Sequence, residues 1–204
     1  MKRIFASALV AAALAASAPF VAQQAQAGAA PLQPGTYALD SAHTLVRFTV
    51  DHLGISDFFG TFPGATGTLA IDPRNLAAAK VDVSVPVARV STTNATLDGE
   101  LVSADWFDAA RYPTMRFVST KVVKTGADTA DIAGDLTLHG VTRPVTLKAH
   151  FKAAAVNPMN KAYTLGFNAE GVIRRSEFGV TKYVPMVSDE TELSITAAFE
   201  KQAD

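Results

Sequence analysis

The stretch "AYTLGFNAEGVIRRSEFGV", residues 162 to 180, decides how the chain is read. Tyr163, Leu165, Phe167, Ala169, Gly171 and Ile173 share one parity and are apolar or small, whereas Thr164, Asn168, Glu170 and Arg174 fall on the other. Side chains along a strand alternate faces with period two, so the stretch reads as a half-buried strand. Arg175 continues its apolar face. A guanidinium is costly to bury without a partner, so the fold must supply something for it to meet.

The same period recurs on both sides. "HTLVRFTVDHL" (43 to 53) sets Val46, Phe48 and Val50 on one face, "GTLAID" (67 to 72) sets Leu69 and Ile71, and "KVDVSVPVARV" (80 to 90) sets Val81, Val83, Val85 and Val87. "TMRFVSTKVV" (114 to 123) is strand-like without a clear face. "ADIAGDLTLHG" (130 to 140) gives Ile132, Leu136 and Leu138; "VTLKAHFK" (145 to 152) gives Val145, Leu147, Ala149 and Phe151; "ELSITAAFE" (192 to 200) gives Leu193, Ile195, Ala197 and Phe199. Turn residues separate these runs, at Pro63-Gly64, Asp72-Pro73, Thr125-Gly126, His139-Gly140 and Asn157-Pro158. Eight such strands in one chain predict an all-β sandwich or antiparallel barrel. Only "NATLDGELVSADWFDAARYP" (94 to 113) breaks the rhythm: Asn94 can cap a helix, and Leu97 and Leu101 lie one turn apart. There is no internal repeat and no second domain.

The first residues belong to a different category. "MKRIFASALVAAALAASAPFVAQQAQA" has a basic start, a short apolar stretch and an Ala-Gln-Ala ending, the pattern of a cleavable secretory signal peptide over residues 1–27. Removing those 27 of the 204 residues leaves 177, starting at Gly28, and takes away Lys2 and Arg3 but no acid, moving the net charge from −1 to −3. Residues 28–35, "GAAPLQPG", read as a flexible lead-in to one domain over 36–204. Export in a bacterial style of leader points to the periplasm, and the chain has no Cys for disulfides there. No later segment is apolar and long enough to span a membrane. The weakly acidic balance, without a basic run, argues against nucleic acid.

Several inner positions are small: Ala149, Ala169, Gly171 and Ala197. They suit close packing and a lined cavity equally, because a small barrel either fills with side chains or leaves room for a ligand. His52 continues the Val46, Phe48, Val50 face. It reads either as a core histidine bonded to a carbonyl or, with Arg175, as a polar anchor in an apolar binding site. For Arg175 the alternatives are a strand that has already ended, a buried carboxylate, and the head of a ligand. The four histidines are spread apart with no metal spacing, and neither a Gly-x-Ser-x-Gly elbow nor a phosphate loop is present. No catalytic residue or metal ligand is assigned.

Four pieces in order resemble the YceI-like proteins, lipocalin-like periplasmic or secreted polyisoprenoid-binding proteins. They are "YALDSAHTLVRFTVDHLGISDFFGTF", "SADWFDAARYPTMRFVST", "GDLTLHGVTRPVTL" and "RSEFGV", spanning Tyr37 to about Phe199. Thr44 stands where the family usually has Ser and Glu177 where it has Asp, and "TLDGELVS" is less basic than the family's helical stretch. The resemblance implies an extended eight-stranded antiparallel barrel, capped by one short helical segment, around a long apolar pocket. It implies a bound isoprenoid or fatty-chain lipid, no cofactor and no chemistry. His52 and Arg175 would then lie in the tunnel with Phe48, Val50, Leu147, Phe151, Phe167, Ile173 and Phe178. Two other readings stay open: a hydrolase or isomerase on such a lipid with His52 as base, and a filled barrel serving as a stress-related interaction module. A homodimer is left open as well.

Overall fold

The computed structural model describes residues 30–203; the leader and the expected start at Gly28 lie outside them. Ten strand segments form one antiparallel sheet: β1 (Gly35–Leu39), β2 (Leu45–His52), β3 (Ser56–Pro63), β4 (Thr66–Ile71), β5 (Lys80–Pro86), β6 (Thr114–Lys124), β7 (Thr129–Leu138), β8 (Val141–Val156), β9 (Tyr163–Arg174) and β10 (Glu190–Lys201). The ring β1–β4–β5–β6–β7–β8–β9–β10 closes through the pairing of β1 with β10. One edge of β10 is taken by β9 along its length. Its other edge is shared, with β2 against Glu192–Thr196 and β1 against Phe199–Lys201. β1 and β2 are therefore two halves of one interrupted barrel strand, and β3 and β4 are two halves of the next. Counted this way the fold is the closed eight-stranded antiparallel barrel, an up-and-down meander in which the outer edge of β3 is joined, among the described residues, only by the Thr61–Ser91 bridge.

The alternation of β9 sets the register of the wall: Leu165 and Ile173 are buried and their neighbours face out. Two irregularities reverse it elsewhere. β6 shifts between Ser119 and Lys121, and β8 between Phe151 and Ala153. Each bulge adds one residue to one strand and flips the parity beyond it. This is why "TMRFVSTKVV" shows no single apolar face: Met115 and Ser119 point inward before the bulge and Val122 after it. The buried Ser119 is satisfied, its hydroxyl accepting from the Val81 N–H at 2.8 Å.

Strand directions define two barrel ends. At the lead-in end, Tyr37, Leu69, Ala154, Leu165 and Phe199 form a buried cluster. The described part of the lead-in, from Ala30 on, is anchored there: the Ala30 N–H donates to the Ala154 carbonyl at 2.9 Å and the Tyr37 hydroxyl to the Gln33 carbonyl at 2.7 Å. Leu32 packs on the cluster, and the Tyr163 hydroxyl donates to the Pro31 carbonyl. At the opposite, helix end, the β5–β6 connection carries α1 (Ala95–Leu101). Asn94 caps it as its side chain allows, Oδ1 accepting from the Thr96 and Leu97 N–H groups at 3.1 and 3.3 Å. Leu97 and Leu101 then turn their shared face into the barrel end.

Candidate functional site

The inward faces do not meet across the barrel. They enclose a cavity of about 630 Å³, within the range of ligand pockets and lined almost throughout by apolar side chains. The barrel is therefore not filled. The wall runs from Leu32, Leu76, Lys124 and Asp128 toward the lead-in end to His52, Trp106, Arg175 and Tyr183 at the helix end. Val46, Phe48, Val50, Phe151, Phe167, Ile173 and Phe199 all stand in it, as their parity requires. Among the small inner residues, Ala149, Ala169 and Ala197 line the cavity, where larger side chains would occupy the lumen. Gly171 serves packing instead: a Cβ there would lie 2.7 Å from Leu147 Cδ2.

That close approach corrects the expectation for Leu147. Its side chain lies half-buried across Gly171 and packs into the core instead of reaching the lumen. Phe178 is a second correction. β9 ends at Arg174, a 3-10 turn (Arg175–Phe178) follows, and the period-two parity ends with the strand. Phe178 is fully buried in the core cluster, outside the tunnel wall.

Arg175 points inward although the strand has ended, and it is 6 % exposed. It stands in the cavity wall at this end, and its polar atoms are engaged by backbone carbonyls and not by a carboxylate. Its Nε donates to the Ser188 carbonyl at 2.8 Å, Nη1 to the carbonyls of Val180 at 3.0 Å and Lys182 at 2.9 Å, and Nη2 to the Val187 carbonyl at 2.7 Å. The rigid fork thus gathers the irregular 180–188 segment around one cation. Its guanidinium carbon stands 5.5 Å from the Trp106 ring centroid. Burial pushes the guanidinium pKa down, and the nearby Asp189 charge opposes that. Burial would raise the Asp189 pKa, but the Ser176 N–H and hydroxyl, each at 2.8 Å, and the charges of Arg174 and Arg175 hold it below the usual carboxylate value.

His52 is the last residue of β2. It lines the cavity from an exposed position at the mouth, 6.2 Å from the Phe58 ring centroid. It is not the carbonyl-bonded core histidine that its parity allowed. Among the described residues its side chain forms no hydrogen bond.

Other wall residues lay beyond the sequence patterns. Trp106 and Tyr183 meet edge to face at 5.9 Å above Arg175. The Trp106 indole N–H donates to Glu100 at 3.2 Å, and Lys182 bridges Glu100 at 3.3 Å and Asp105 at 3.2 Å. The hydrogen bond to Asp105 leads in raising the Lys182 pKa. Toward the other end, Asp128 lies 2.8 Å from His150 Nε2, and that hydrogen bond lowers its carboxyl pKa. Among the described residues no group of three or more His, Cys, Asp or Glu could hold a metal, and no helix is long and apolar enough to cross a membrane.

Comparison with known proteins gives concordant matches. The model of the YceI-like domain matches residues 37–199. A UPF0312 protein of Pseudomonas syringae pv. tomato is 39 % identical over 162 residues, covering 78 % of this chain and 83 % of the relative. Protein YceI of Escherichia coli O157:H7 is 41 % identical over 157 residues, covering 77 % and 81 %. Among solved structures, the Campylobacter jejuni YceI protein superimposes with a TM-score of 0.66 at 30 % identity, over 75 % of this chain and 90 % of that one. Burkholderia cenocepacia BcnA does so with 0.71 at 23 % identity, over 78 % and 98 %. A polyisoprenoid binding domain from Saccharophagus degradans shares the fold, with 0.63 at 13 % identity, over 81 % and 98 %.

Proposed function

The chain belongs to the YceI-like family, and on that premise we propose that it is an exported carrier that encloses a long-chain amphiphile of isoprenoid type in the barrel. The observation that carries this reading is the continuous apolar lumen of about 630 Å³ along an otherwise well-packed barrel. A folded domain leaves such a space at the cost of its own packing. A chain threaded through it regains the contacts: at roughly 0.8 kcal/mol per buried methylene, about a dozen carbons give on the order of 10 kcal/mol before ordering costs. The name of the Saccharophagus degradans domain supports the ligand class. The leader-like residues 1–27 support delivery to the periplasm, for transport or storage there.

The tail supplies affinity and a few polar groups supply direction. At the helix end these are His52 and the buried Thr191, both in the tunnel wall. Arg175 has a different part: it fixes the loop that makes this wall. The carrier reading is favoured over catalysis because the cavity wall is apolar almost throughout, the lining that a long hydrocarbon chain requires.

Delipidated protein should take up a fluorescent isoprenoid alcohol with saturable, salt-insensitive binding. His52→Ala should keep that uptake while reducing the preference for the alcohol over a hydrocarbon of equal length. Absence of uptake by the delipidated wild type would overturn the carrier reading.

A further inference from the structure

The helix-end mouth carries apolar groups that the tunnel does not use. The β2–β3 hairpin turns through His52–Ile55, the Ile55 N–H donating to the His52 carbonyl at 3.2 Å, with Leu53 at φ 67° and Gly54 at φ 66°. Glycine adopts left-handed backbone freely, but a leucine there is strained. The turn presents Leu53 to solvent at 51 % exposure and Ile55 at 81 %. The Leu53 N–H donates to the Met186 carbonyl at 2.8 Å, joining the hairpin tip to the 183–187 segment, where Met186 is 57 % and Tyr183 48 % exposed. His52, Tyr183 and Val187 belong both to this rim and to the tunnel wall.

The charges around the rim identify what it faces. Lys182 is engaged by Glu100 and Asp105. Asp51 accepts from the Gly54 N–H at 2.7 Å, and Asp57 is exposed beside it. Carboxylates outnumber cations, so the rim has no means of seeking an anionic surface. A second copy of the chain seated here would shut the mouth through which the tunnel fills. A bilayer is the occupant whose apolar interior is continuous with the lumen. We propose that Leu53, Ile55, Tyr183 and Met186 dock the mouth onto a lipid surface of neutral, zwitterionic head groups, so that a chain passes between bilayer and tunnel without crossing water. Apolar side chains of this kind enter the head-group boundary without spanning it. The inference rests on the carrier reading.

The test uses the folded protein with phosphatidylcholine vesicles carrying a fluorescent isoprenoid alcohol. The variant Leu53→Gly/Ile55→Thr keeps the turn, since glycine suits the left-handed position, and removes the apolar tips. Leu53→Asp/Ile55→Asp is a second, stronger form. The transfer rate from vesicles to protein should fall on the order of tenfold or more in either variant, in keeping with two lost apolar contacts. Equilibrium uptake of the same probe added without vesicles should be unchanged. A variant that takes up the free probe normally and also transfers at the wild-type rate overturns the docking surface while leaving the carrier reading standing. Wild type that takes up no free probe overturns both. Transfer that requires anionic lipid, or a wild-type dimer that the substitutions dissociate, would replace the neutral bilayer with another occupant and overturn the proposal.

Discussion

The two ends of the barrel are held by different physics. At the lead-in end an apolar cluster dominates, with hydrogen bonds only tying the lead-in over it: Tyr37 and Leu165 are fully buried beside Phe199, and the Tyr37 and Tyr163 rings lie 6.5 Å apart. Packing of this kind needs only volume and is non-directional. At the helix end the cavity wall reaches residues that are exposed, His52 and Tyr183. There the 180–188 segment is held by four directed bonds from one guanidinium, with Trp106 above it. A cluster of side chains can rely on volume, whereas an irregular segment in a cavity wall needs a shape fixed by hydrogen bonds.

The contrast breaks most readily at Arg175. Replacing it with Met keeps the stem but leaves the carbonyls of Val180, Lys182, Val187 and Ser188 without their donor. We expect a loss of about 3 to 5 kcal/mol in denaturant unfolding, the scale for stranding buried polar groups around a removed charge. Lys should restore only part, because an ammonium cannot reproduce the fork. Near-wild-type unfolding of Arg175→Met, with altered head-group preference, would return the residue to the ligand and remove the contrast.

A paired truncation sharpens it. Leu165→Ala opens a new void in the lead-in cluster and should cost about 3 kcal/mol. Ile195→Ala, on the tunnel wall, extends a space that already exists and should cost less, about 2 kcal/mol, the transfer contribution of its three lost carbons without a new cavity. Equal losses in urea unfolding would mean that the lumen packs like a core.

The smallest effect is in pH. The folded-state pKa of Asp189 lies below its unfolded value, so its contribution is present above about pH 4 and is lost as pH falls through the folded value. Unfolding midpoints should fall below about pH 4 in the wild type. Asp189→Asn should flatten that part of the profile, and an unchanged profile would exclude Asp189 as a source of it.

Much of the wall was legible in the sequence because one face of each strand meets an apolar lumen, and period two then shows directly, as in β5, β7 and β10. β1 and β3 were not legible. β1 is only 5 residues long. "SDFFGTFP" carries adjacent phenylalanines, with Phe58 in the tunnel wall and Phe59 exposed, so the alternation disappears. The direction of His52 was legible from parity, whereas Arg175 turns inward from a 3-10 turn just past the end of β9. Their surroundings were not: the Arg175 partners are backbone carbonyls, which carry no residue code, in a segment without periodicity. His52 lies where its strand ends, so parity gave its direction but not its depth. Leu147 lies over a glycine on the neighbouring strand, a cross-strand relation that no single run contains. Trp106, Glu100 and Tyr183 come from connections, where only the folded arrangement brings them to one mouth.

The central claim is that the lumen exists to hold a chain. Native mass spectrometry of the protein purified without detergent, before and after organic extraction, tests it most directly. The account predicts an adduct on the folded protein that extraction removes and that is recovered as a long apolar molecule with a small polar head. A single ligand-free mass, on protein that also fails to take up an added isoprenoid alcohol, would contradict it.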